Sequence, residues 1–231
     1  MAAIAEELLL LLLDNAAAKP ALAPSRRRRL LAAAVLLDLA YDSRLRPAGP
    51  GEPVPEGRLI APAGPDDGNP TAGWARRRLA RKPVTPKAAV AALRRRVEDR
   101  LLTQLEFTGQ LRRTPLYTKG FRRGFRKGFR KGSHRDYVWV LTDRNRALQV
   151  RSRILGTLVQ DIVPTPPTAA LITLLHTVDG LDELFSFDPR GRRWVQHRAG
   201  EIASGSWVAA DSELAEVNLA VTAAMVCAAL R

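Results

Sequence analysis

Residues 30–40, Leu-Leu-Ala-Ala-Ala-Val-Leu-Leu-Asp-Leu-Ala, limit what this chain can fold into more than any other stretch. A helix that is apolar nearly all round has no face to give to water, so it must be central, with other elements packed about it. Composition says what those elements are. Hydrophobic residues make up 46% of the 231 residues but aromatics only 6%, so alanine and leucine have to fill the core, which favours helix over sheet. The predicted fold class is mainly α: a single compact helical domain over residues 1–231, built around buried central helices, with a protruding β-hairpin.

The rest of the chain supplies the surrounding elements. Ser25 is the expected N-cap of the central helix, over 25–42, and Arg26 to Arg29 follow in its first turns. There they oppose the helix dipole, yet helix N-termini also present free N–H groups, so the cluster suits an anion. Periodicity predicts further helices over 4–13, 74–82, 145–163, 168–185 (with Gly180 a point of interruption) and 192–202. A last one runs from a cap at Asp211 or Ser212 to 230. The clearest amphipathic pattern runs over 85–107: Val90, Leu93, Val97, Leu101 and Leu105 form its core stripe, and Arg94, Arg95, Arg96 and Arg100 lie off it. Asp188-Pro189-Arg190-Gly191 reads as a turn. Strand patterns occur at 58–61, 111–117 and 137–142, the last two pairing as a hairpin with Pro115 at a sheet edge.

The tip of that hairpin, an insertion at 119–135, is unlike the rest of the chain. Three tetrads follow one another: Gly120-Phe121-Arg122-Arg123, Gly124-Phe125-Arg126-Lys127 and Gly128-Phe129-Arg130-Lys131. No acidic residue interrupts them, and they carry a large share of the net charge of +14. Four glycines at this spacing oppose a helix, and in a strand no clean apolar face forms. The segment therefore reads as a loop that needs an anionic partner with somewhere apolar for a ring. A membrane with acidic head groups offers both, and single-stranded nucleic acid does too. An acidic protein partner, or self-association through the hairpin, is a third reading.

Chemistry is sparse elsewhere. His134, His176 and His197 have no carboxylate or cysteine at metal-ligand spacing, so neither a metal nor a catalytic residue is assigned, and no cofactor is implied. His176 reads as a satisfied core or interface histidine and Cys227 as a buried, inert thiol. The glycine repeat lacks the spacing of a phosphate loop. The apolar run 8–13 is too short to span a bilayer, and Glu6 and Glu7 stand where a signal peptide would carry positive charge. The expectation is a non-enzymatic protein, cytoplasmic and peripheral on a membrane face.

The order of elements resembles a known family. AEELLLLLLD (5–14) precedes an apolar helix ending LLDLAYDSRL (36–45). LRRRVEDRLLTQLEFTGQL (93–111) then runs into the hairpin, and TAALITLLHTVDGLDELF (168–185) follows. The chain is identified on this pattern as similar to the bacterial branch of the Golgi phosphoprotein 3 family. The resemblance implies a helical fold with a protruding hairpin, and peripheral membrane binding through phosphatidylinositol 4-phosphate or another phosphoinositide. It implies a head-group pocket made by a Trp and an Arg entering the first long helix and two basic residues three apart on a later helix. In this chain Arg95 matches the first of those two and Glu98 stands at the second. No Trp occurs at 22–24, and Arg28 and Arg29 lie one turn before the first Arg position, at Ala32. The head-group candidates are Arg28, Arg29, Arg94 and Arg95.

Overall fold

Pro24 opens the helix that the others surround. The computed structural model describes residues 4–14, 20–62, 64, 68–115 and 137–231. Helix α2, Pro24–Tyr41, has Ala23 at its N-cap and Pro24 in its first turn. A proline there lacks only an N–H that would have no helical partner, and its fixed φ suits the helix. Ser25, expected as the cap, is therefore already inside the first turn and exposed. Every residue from Leu30 to Ala40 is buried, Asp38 included. That Asp has a task. Its carboxylate accepts hydrogen bonds from the backbone N–H groups of Ile4 at 2.7 Å and Ala5 at 3.1 Å, so α2 caps the start of α1, Ile4–Leu13. Burial pushes the Asp38 carboxyl well above the usual range, against the two N–H groups that favour its charged form.

Around this pair lie α3, Pro70–Leu79, α4, Pro86–Leu93, α5, Val97–Phe107, α6, Asn145–Val159, and α7, Pro166–Thr177. The short α8, Leu181–Leu184, α9, Pro189–Ala203, and α10, Leu214–Leu230, complete the helices among the described residues. α2 contacts α1, α3, α4, α5, α7 and α10, which is the central position its all-apolar surface requires. One hydrophobic cluster, from Ile4 to Leu230, draws side chains from each of these ten helices. Two small antiparallel sheets accompany them. β1, Arg46–Pro47, which sequence reading missed, pairs with β2, Leu59–Ile60. β3, Leu111–Pro115, pairs with β4, Tyr137–Leu141, in register from Leu111↔Leu141 to Pro115↔Tyr137.

Several boundaries differ from expectation, each for a local reason. The helix expected over 85–107 is two. Arg94 to Arg96 form a tight turn closed by Arg96 N–H donating to the Leu93 carbonyl at 3.1 Å. The break lets α4 pack on α10 while α5 packs on α3, α1 and β3. One straight rod could not reach both sets. The helix over 168–185 divides where Gly180 marks the expected interruption, at Val178–Gly180, with Asp179 in the left-handed region at φ 51°. Residues 188–191 are not a free turn but the start of α9. Asp188 accepts from Arg190 N–H at 2.8 Å and Gly191 N–H at 2.7 Å, with Pro189 in the first turn. At α10 the N-cap position is Glu213, without a side-chain cap, and Ser212 Oγ accepts instead from Ala209 N–H at 3.0 Å. The 119–135 repeat expected at the hairpin tip lies outside the described residues.

Candidate functional site

The turn between α4 and α5 projects cations toward the first turns of α2. Arg27 is buried there. Its Nε donates to Glu98 Oε1 at 2.8 Å, its Nη2 approaches the same oxygen at 2.7 Å, and its Nη1 donates to the Leu22 carbonyl at 2.9 Å. Leu22 holds that carbonyl in place from the left-handed region, at φ 66°. Arg28 donates from Nε to the other Glu98 oxygen at 3.0 Å, and half of its side chain stays exposed. One buried carboxylate thus joins two guanidinium groups across α2 and α5. Leaving either charge buried and unpaired would be costly, which explains an acidic residue on an otherwise basic stretch.

On the other side of the same turn is a cleft of about 450 Å³ between α2, α4 and the end of α10. Arg29, Lys87, Arg94 and Arg231 line it, over Val90, Ala91, Ala228 and Ala229. No acidic side chain among the described residues lines it. Lys87 in the first turn of α4 and Arg94 at its C-cap are seven residues apart on one side of the helix, and neither side chain has a hydrogen bond or ion pair with a described residue. Arg29 donates to the carbonyl of Leu230 and, at 3.5 Å, to that of Ala229, so part of its charge faces the negative end of α10.

The four head-group candidates are therefore divided. Arg29 and Arg94 meet in the cleft, and Arg28 is tied to Glu98. Arg95 is exposed on the connecting turn, outside the cleft lining, and has no partner among the described residues. Sequence reading missed Arg27, which burial converts from a surface cation into half of an ion pair, and Lys87. The seven-residue step from Lys87 to Arg94 was the available signal. The hairpin candidates, Phe121 to Lys131, lie outside the described residues. At the hairpin's base Arg113 lies over the rings of Tyr137, at 5.3 Å, and Trp139, at 4.9 Å, and pairs with Glu106 at 2.6 Å.

Elsewhere, His176 Nδ1 is 3.0 Å from Gln196 Oε1, and burial raises the Cys227 thiol pKa. Among the described residues no group of three or more His, Cys, Asp or Glu side chains is placed to hold a metal ion.

The sequence profile of the Golgi phosphoprotein 3 (GPP34) family matches residues 4–219, from the first turn of α1 into α10. The chain belongs to the Golgi phosphoprotein 3 family. No curated protein matches it closely enough to add a relative. Within this Golgi phosphoprotein 3 fold, no helix among the described residues is long and apolar enough to cross a membrane.

Proposed function

We propose that this Golgi phosphoprotein 3 family member is a peripheral membrane protein that binds anionic lipid. By the family resemblance the lipid is phosphatidylinositol 4-phosphate or another phosphoinositide. The observation that carries the reading is the basic cleft, with no acidic side chain among its described lining residues, where the Lys87 and Arg94 side chains lack partners among the described residues and Arg29 completes a basic wall. A phosphate head group supplies several acceptor oxygens at once, which is what converging ammonium and guanidinium groups need. Glu98 has the opposite effect at Arg28, where it already occupies the Nε donor. The head group is therefore assigned to the Arg29 side of the turn, with Arg95 outside the cleft. The repeat 119–135 adds attraction to any acidic surface, worth about 1 kcal/mol for each cation close to it, and its Phe rings suit the interface.

Co-sedimentation with vesicles tests this directly. Phosphatidylcholine vesicles carrying phosphatidylinositol 4-phosphate are compared with vesicles of equal charge carrying phosphatidylserine. The wild type is expected to favour the former. Lys87→Ala with Arg94→Ala should reduce that preference by about tenfold or more, since a charge-assisted hydrogen bond is worth about 1.5–3 kcal/mol. Arg95→Ala should reduce it less. Equal binding of wild type to both vesicles removes the head-group cleft and leaves general adhesion. Displacement by a short single-stranded oligonucleotide would favour the nucleic-acid reading instead.

A further inference from the structure

A second groove, of about 970 Å³, runs along α5 and shares no lining residue with the basic cleft. Arg96, Asp99, Arg100, Thr103, Gln104 and Phe107 recur every three to four residues and so form one side of it. The start of α3, from Asn69 to Thr71, forms the other. Its polar wall is held by a chain of hydrogen bonds. Thr71 Oγ1 donates to Gln104 Oε1 at 2.6 Å, and Gln104 Nε2 donates to Glu6 Oε1 at 2.5 Å. Arg146 pairs with Glu6 at 2.9 Å, which neutralises that carboxylate.

Two cations remain on this side. Neither the Arg96 nor the Arg100 side chain makes a hydrogen bond or ion pair with a described residue. Arg100 lies 4.7 Å over the Trp74 ring, and its buried Nε has no hydrogen-bond partner. Asp99 also faces the groove, and against its single negative charge Arg96 and Arg100 leave a surplus of one positive charge. At the far end Phe107 is 92% exposed, where α5 meets the hairpin. Eleven helical steps separate Arg96 from Phe107, roughly 16 Å.

We infer that this groove binds a single-chain amphiphile with a singly charged anionic head. The head lies between Arg96 and Arg100, and the hydrocarbon chain runs along α5 to Phe107. A free fatty acid and a monoacyl phospholipid share this chemistry. The volume is that of a small-molecule site.

Isothermal titration of the full chain tests the inference with dodecanoate and lauroyl lysophosphatidylglycerol, both below their micelle concentrations. Acetate tests the head alone and dodecyl maltoside the chain alone. One or both anionic amphiphiles should bind about tenfold or more tightly than either control, and whichever does so identifies the source. Arg96→Gln and Arg100→Gln should each weaken that binding by about tenfold, without changing the preference for phosphoinositide vesicles. Phe107→Ser, at a position too exposed to disturb the core, should weaken it while leaving acetate unchanged. The inference is overturned if dodecyl maltoside binds as tightly as the anions, if no amphiphile binds, or if Phe107→Ser and the arginine variants all bind like wild type.

Discussion

Glu98 and Asp38 are both buried carboxylates, but their surroundings give them opposite consequences. Glu98 is paired with two guanidinium groups, so Glu98→Ala would leave Arg27 buried without its counter-charge. The expected cost is about 3–5 kcal/mol, read from the midpoint of urea unfolding at constant slope. Asp38 has N–H partners but no cation, and burial raises its pKa. A folded pKa above the unfolded one means protonation favours the native state. Its contribution is fully present below the unfolded pKa and is lost as pH rises through the folded one. Asp38→Asn does not titrate, so its stability relative to wild type should rise with pH across that window, whatever the offset from its altered hydrogen bonds. A flat difference between the two pH–stability curves would contradict the assignment.

Elements meet their ends where a proline, a cap or a change of packing partner imposes one. α2, α3, α4, α7 and α9 all begin with proline in the first turn, and α3 and α9 add an Asn or Asp cap. Those signals are in the sequence, and at Asp188-Pro189 they resemble a turn because the helix after them is weakly apolar. The hairpin is an element whose ladder closes at Pro115↔Tyr137. Joining these two residues through Asn-Gly, in place of 116–136, supplies the two-residue loop that antiparallel strands favour. The helical protein should survive this deletion, with circular dichroism unchanged and a cooperative melt, while binding to phosphatidylserine vesicles falls sharply. Loss of the melt would show that the repeat supports the core.

Across the whole molecule, a net charge of +14 makes association with any acidic surface depend on salt. Binding to phosphatidylserine vesicles should weaken steeply as ionic strength rises. Phe121, Phe125 and Phe129 changed together to Ala should weaken it even at high salt, because ring burial is not screened. If the triple variant and wild type sediment alike at every salt concentration, charge alone holds the protein to the membrane. Glu6, Glu7, Asp14 and Glu98 are paired with arginines of other elements, while residues 119–135 carry eight Lys and Arg and no acidic residue, so a large share of the excess lies in that segment.

Hydrophobic pattern was enough to call for a helical fold around residues 30–40 and for paired arms over 111–117 and 137–142, and the order of elements carried the resemblance to the family. Burial of apolar area is non-directional and leaves its mark on every residue of a segment. The fate of individual cations was different. Arg26 to Arg29 are four identical residues in sequence, yet they contact Glu183, Glu98, Glu98 and the end of α10 in turn. Successive helix positions point about a quarter-turn apart, and each meets a neighbour brought there from 70 to 201 positions away in the chain. Which arginine is neutralised, and which is left to face an anion, was decided only by tertiary packing.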